Sequence, residues 1–146
     1  MFSTIIAKML PWLPRTLVGK VARRYIAGET IADARATCTP LIESGLSVTV
    51  DLVGEDITCA SEADATVDDY VKLLEDLPSW SITPGQAGIS LKPSQFGLML
   101  DREEGKARVT SIARLAAERG VFVRLDMEGS DTTDAILDLY KDLHAV

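Results

Sequence analysis

The sequence predicts an α/β fold in which parallel strands are joined by helices, and three observations carry that prediction. Short β-branched runs alternate with stretches of helical periodicity, the pattern of right-handed βαβ crossovers. Charged residues at or near the ends of these runs recur at Asp51, Lys92 and Asp126, 41 and 34 residues apart. That spacing is close to the roughly 30 residues of one unit in a (βα)8 barrel. A length of 146 residues holds three such units and a leader, whereas a closed barrel takes ~250. The expected fold is therefore α/β, about three βα units preceded by N-terminal helices, too short for a closed (βα)8 TIM barrel.

Taken in order, residues 1–27 form a basic leader. Lys8, Arg15, Lys20, Arg23 and Arg24 have no acid among them, a net +5 in a chain whose total is −7. Phe2, Ile5, Ile6, Met9, Leu10 and Trp12 suit a helix, or two short ones, packing on the body. The same set suits a peripheral membrane contact, with the cations facing acidic headgroups. Lys8, Pro11, Pro14 and Arg15 interrupt the apolar run, so it falls short of the ~20 residues that span a bilayer. Phe2–Ala7 is too short, and too poor in preceding charge, for a signal peptide. Nothing linker-like divides the rest, and one domain is expected.

Thr30 can cap a helix that runs to Glu43, with Gly45 closing it; Pro40 within it predicts a kink or an early break. Leu46–Val53 reads as a strand. Ser61 and Asp64 resemble a capping box opening a helix over Glu62–Leu77, ended by Pro78. Ile89–Lys92 is a short strand stopped by Pro93. Asp101–Arg119 is a helix with Val109, Ile112, Ala113, Leu115 and Ala116 on its apolar face; Gly105 weakens its first turn and Gly120 closes it. Val121–Leu125 is the next strand. Ser130 or Asp131 caps a last helix, Thr132–Leu143, whose Ala135, Ile136, Leu139, Tyr140 and Leu143 repeat at helical spacing.

Composition excludes several functions. The negative total disfavours nucleic acid as a partner, since phosphate binding needs a basic face. Two cysteines, Cys38 and Cys59, and one histidine, His144 beside the last residues, provide no His/Cys metal centre and no disulfide scaffold. A Ser-His-Asp triad with an embedded histidine is excluded on the same ground. Cys38 and Cys59 lack basic neighbours in sequence and read as inert. Trp12 and Trp80 read as packing residues.

Strand parity singles out a candidate site. Side chains alternate faces along a strand, so Leu46, Val48, Val50 and Leu52 oppose Ser47, Thr49 and Asp51. Ile89 and Leu91 oppose Ser90 and Lys92, and Val121, Val123 and Leu125 oppose Phe122, Arg124 and Asp126. Each strand thus has an apolar parity for helices and a polar one that ends in charge. In sequential order Lys92 falls between Asp51 and Asp126, at the C-terminal strand ends where such sheets place their sites. A charge on an inner face needs a partner, and the two carboxylates provide it. The group is either an ion-pair staple or a site for an anionic or amino-acid-like ligand, with Lys92 meeting a carboxylate.

Other signals are weaker. Gly85-Gln-Ala-Gly88 precedes a strand rather than following one and is not a phosphate loop. Asp126 and Glu128 alone make a poor metal site, so no metal is expected, and Met127 between them suits contact with something flat and apolar, core or cofactor. Lys92 could also serve as a Schiff-base nucleophile on a different sheet enzyme.

Four stretches, in order, resemble the bacterial proline dehydrogenase family. Ala22–Thr30 (ARRYIAGET) is similar to the family's opening "ARRYVAGET". Ser47–Glu55 (SVTVDLVGE) resembles its first barrel strand and "DxLGE" turn. Ile89–Gly97 (ISLKPSQFG) is similar to the second strand with its lysine. Gly120–Ser130 (GVFVRLDMEGS), followed by Asp134–Tyr140, resembles the third strand, its "DME" tripeptide and the next helix. The resemblance implies that residues 28–146 are the N-terminal portion of such a barrel, a partial (βα)8 TIM barrel, in a family that uses FAD to oxidise L-proline to 1-pyrroline-5-carboxylate and passes electrons to quinone. Proline catabolism to glutamate begins with this step. It also implies a cytoplasmic protein, peripheral at the inner face of the membrane. Carried over by position, Lys92 matches the lysine near the proline carboxylate and the flavin. Asp126 matches the active-site aspartate and Met127 a residue touching the flavin, with Asp51, Glu55 and Glu128 in support.

The family runs to about twice this length, and its later strands supply most flavin contacts and the arginine pair that clamps the substrate carboxylate. The chain is thus expected to be truncated, and inactive unless a complementary chain completes it. The alternative is a non-catalytic barrel fragment or a self-associating interaction module, whose open sheet edges template association.

Overall fold

The computed structural model describes residues 25–54, 57–80, 83 and 85–144. They fall into two compact units, one ending at Cys38 and the other beginning at Thr39. Of the helical leader expected over residues 1–27, residues 1–24 lie outside the described residues, as does Glu55 of the candidate site.

In the first unit Thr30 and Asp33 cap each other. The Asp33 N–H donates to the Thr30 hydroxyl oxygen at 3.1 Å, and Asp33 Oδ2 accepts the backbone N–H groups of Glu29 and Thr30. This satisfies donors that the first helical turn would otherwise leave orphaned, and starts α1, Ile31–Glu43. Pro40 lies inside α1 without ending it; the helix forgoes one backbone hydrogen bond there and continues. Beyond it, in the second unit, Gly45 takes a φ of 89°, and the N–H groups of Gly45 and Leu46 return to the carbonyls of Ile42 and Leu41. That closing turn needs the left-handed region, where glycine carries no Cβ penalty.

The rest of the second unit runs β1 (Val48–Asp51), α2 (Ala60–Asp76), β2 (Ala87–Leu91), α3 (Arg102–Glu118), β3 (Phe122–Leu125) and α4 (Thr133–His144), with 3-10 turns at Leu77–Trp80 and Pro93–Phe96. The three strands are parallel and lie in the order β1-β2-β3. This is the expected α/β fold with a parallel sheet and helices. The register sets Gly88 between Thr49 and Phe122, and Ser90 between Asp51 and Arg124.

α2 opens earlier than Ser61 and Asp64 suggest. Its cap is Cys59, and the Glu62 carboxylate reaches back to the N–H groups of Thr58 and Cys59. The acid three residues into the helix does the work of a capping box, and those hydrogen bonds hold the Glu62 carboxyl below its ordinary value. α3 is capped by Asp101, whose side chain accepts from the N–H groups of Glu103 and Glu104. Trp80 is buried, as its packing role requires, with its indole N–H on Asp76.

The core joins Val50, Ile89 and Leu91 of the sheet to Tyr70, Leu73 and Leu74 of α2 and Val109, Ile112 and Ala116 of α3, all buried. Each such apolar side chain contributes roughly 1.5–3 kcal/mol when taken out of water. Gly105 has a role that helix propensity alone conceals: a Cβ there would stand 2.5 Å from both Cα and N of Leu98. Only glycine lets α3 approach that backbone. Gly88 likewise faces the Phe122 backbone, where a Cβ would meet its carbonyl oxygen at 2.7 Å. Among the described residues no helix is long and apolar enough to cross a membrane.

Candidate active site

β2 is the middle strand and is buried along its whole length. Its alternation sends Ile89 and Leu91 into the apolar core and leaves Ser90 and Lys92 on the other parity, with Asp51 of β1 and Arg124 of β3 in register beside Ser90. The N–H of Asp126 donates to the Leu91 carbonyl at 2.9 Å, which continues the ladder one residue past β3 and brings Asp126 to the same end. Lys92, Asp51 and Asp126 therefore gather at the C-terminal end of the sheet, as parity requires.

Asp51 and Asp126 flank Lys92 as expected, and they are engaged differently. Lys92 Nζ contacts Asp51 Oδ2 at 2.9 Å, with both side chains partly buried. Asp51 Oδ1 is buried with no hydrogen-bond partner among the described residues. Asp126 is held by other groups: the Ser90 hydroxyl donates to its Oδ1 at 2.6 Å, and Arg124 Nε donates to the same oxygen at 2.8 Å. Burial pushes the Asp126 carboxyl up. The hydrogen bonds from Ser90 and Arg124 and the positive charges of Arg124 and Lys92 outweigh it, and the net shift is downward. The site thus presents an ionised carboxylate with a lysine close enough to act on it electrostatically.

Glu128 turns toward the Pro93–Phe96 turn, accepting the N–H of Ser94 at 2.9 Å and its hydroxyl. It anchors the segment after Lys92, and no group of metal-binding side chains occurs among the described residues. Met127 is 54% exposed, an apolar surface beside Asp126 in sequence.

Several participants escaped the sequence reading. Ser90 and Arg124 appear there only as parity mates of Lys92 and Asp126. Tyr70 of α2 donates its hydroxyl to the Ser90 carbonyl at 2.7 Å and accepts the Leu52 N–H at 3.4 Å; burial pushes its phenol well up, so it stays neutral. Gln95 donates its side-chain amide to the carbonyls of Leu52 and Gly54, tying the segment after β1 to the turn after β2. The one available signal was positional: Arg124 stands two residues before Asp126, on the same face of one strand.

A family model described as "Proline dehydrogenase" matches residues 34–145. Proline dehydrogenase of Deinococcus radiodurans is 31% identical over 134 residues, covering 90% of this chain and 42% of that protein. Proline dehydrogenase 1 of Bacillus subtilis is 30% identical over 120 residues, covering 82% of this chain and 39% of its own length. Among solved structures, proline utilization A (PutA) from Bdellovibrio bacteriovorus, inactivated by N-propargylglycine, superposes with a TM-score of 0.78 at 23% identity, over 88% of this chain and 16% of that one. The chain spans about two fifths of the length of these curated relatives. With a family model matched across most of its length, the chain belongs to the proline dehydrogenase family.

Proposed function

We propose that residues 28–146 form the first three βα units of a proline dehydrogenase barrel, with residues 1–27 as a basic leader, and that they contribute one wall of a site oxidising L-proline to 1-pyrroline-5-carboxylate. The observation that carries this reading is the gathering of Lys92, Asp51 and Asp126 at one end of a parallel sheet.

The residues present fit one edge of a flavin. Lys92 would place a cation beside the ring, and the exposed Met127 an apolar surface; these two would line one edge of it. When bound, FAD supplies the acceptor for the hydride that leaves the proline ring carbon next to nitrogen, as that carbon–nitrogen bond becomes double. Lys92 meets the substrate carboxylate, with Asp51 fixing the direction of its ammonium. Asp126, kept ionised by its neighbours, is the acceptor for the substrate's N–H. Glu128 steadies the segment that follows Lys92, and Glu55 is a supporting residue by its match to the family pattern alone. Quinone at the cytoplasmic face of the membrane takes the electrons onward, and the cations of residues 1–27 suit contact with that surface.

In the full-length protein that carries these residues, L-proline added without oxygen is expected to bleach the flavin absorbance. Lys92→Ala should weaken proline binding on the order of tenfold, the loss of one charge-assisted contact, with flavin retained. A flavin-loaded protein unresponsive to proline would overturn the reading. The 146 residues expressed alone are expected neither to hold FAD nor to oxidise proline, because most flavin contacts of the family come from later strands. A second reading, a non-catalytic or self-associating module, is favoured by the exposed Phe122, Val53 and Met127 on and beside the outer strands. It predicts a full-length protein that never carries flavin.

A further inference from the structure

Asp126 is bound asymmetrically. Ser90 Oγ at 2.6 Å and Arg124 Nε at 2.8 Å both donate to Oδ1, and Arg124 Nε also lies 3.1 Å from Ser90 Oγ. Oδ2 has no hydrogen bond among the described residues. Ser90 is itself immobilised: it is fully buried on the central strand, and Tyr70 holds its carbonyl from the helix layer. The backbone of Asp126 is pinned to Leu91. A staple between strands would gain most by engaging both carboxylate oxygens. Here two donors close on one oxygen and leave the other as an acceptor.

We propose that Ser90 and Arg124 are positioning residues, which lock the Asp126 carboxylate in one rotamer by its Oδ1 and reserve Oδ2 for an N–H group of the substrate. The proposal rests on the reading of this end of the sheet as the proline site. The charged and titratable groups around Asp126 are Arg124 of β3, Lys92 just after β2 and Tyr70 of α2, while Asp51 of β1 is engaged by Lys92. Of the two donors, Ser90 is fully buried and Arg124 is half exposed, with a side chain 52% accessible. Water screens the guanidinium more, so the hydroxyl has the larger effect.

The test follows the Asp126 carboxyl by carbon-13 NMR titration in the full-length protein without flavin, and separately the pH profile of proline oxidation. Ser90→Ala is expected to raise the Asp126 titration by roughly one pH unit, as loss of a hydrogen bond to a charged group should, and to move the acid limb of kcat/KM with it. kcat should fall on the order of tenfold with KM for proline little changed. Ser90→Thr should restore both. Arg124→Gln, at an exposed position where folding is not at risk, should act in the same direction and less strongly. If either Ser90→Ala or Arg124→Gln lowers the melting temperature but leaves the Asp126 titration and the acid limb in place, the residue is only a strand staple and the proposal fails. A shifted titration in a protein that never oxidises proline would instead sink the functional reading and leave the positioning intact.

Discussion

Lys92 and Asp51 form a pair whose side chains are 22% and 30% exposed, a burial at which losing one partner matters more than the pair's own net worth. Asp51 Oδ1 already lacks a hydrogen bond. Removing the ammonium would therefore deprive a half-buried carboxylate of its contact at Oδ2 as well. Lys92→Ala is expected to destabilise the fold by about 1–3 kcal/mol, and adding Asp51→Ala should recover part of it, with a coupling of about 1 kcal/mol. Denaturant melts of both single variants and the double variant measure this; strictly additive losses would mean the two charges do not interact. At this scale the sequence was legible where period-two alternation applies. Lys92, Asp51 and Asp126 share an end of the sheet because parity and sequential strand order leave no other arrangement. The partners were not legible. Whether Lys92 reaches Asp51 or Asp126 depends on side-chain reach and on a competing hydroxyl at Ser90, and neither is encoded in spacing.

Helix ends follow from local chemistry, and those at Thr30, Gly45, Asp101 and Gly120 lie where the sequence suggests. The opening of α2 is displaced because an acid can cap from inside the helix: Glu62 reaches Thr58 and Cys59, so Ser61 and Asp64 are not needed as caps. Gly105 shows the opposite limit. As a matter of propensity, alanine would favour α3 by about 1 kcal/mol. In the packed molecule its Cβ meets the Leu98 backbone at 2.5 Å, and backbone cannot rotate away as a side chain can. Overpacking of this kind costs about 1–3 kcal/mol, which exceeds the propensity gain. Gly105→Ala should lower the melting temperature, and an equal or higher value would show that α3 slides at no cost. No single-sequence reading finds this contact, since Gly105 and Leu98 meet through the tight turn between Phe96 and Asp101.

Across the Thr39–Val146 unit, the order β1-β2-β3 leaves β1 and β3 each paired on one side among the described residues. Unpaired strand edges invite pairing with another chain. Apolar surface lies along these margins: Leu46 and Val53 flank β1, Phe122 opens β3 and Met127 follows it, all at least half exposed. Gly88 gives no cover to Phe122, having no side chain to pack over it. Ser47 and Thr49 are exposed, whereas Ser90 is buried beneath Asp126 and Arg124. The charged cluster at the C-terminal end is partly paired within itself, whereas the apolar margins are left to water. A polypeptide limited to the 146 residues is therefore expected to self-associate edge to edge, in proportion to its concentration. Light scattering over a dilution series measures it, and Val53→Lys, which places a charge beside the β1 edge without disturbing a buried group, should shift the population toward monomer. A parent chain that stays monomeric throughout, or a Val53→Lys variant that associates as strongly, would mean that these edges are not the sticking surface.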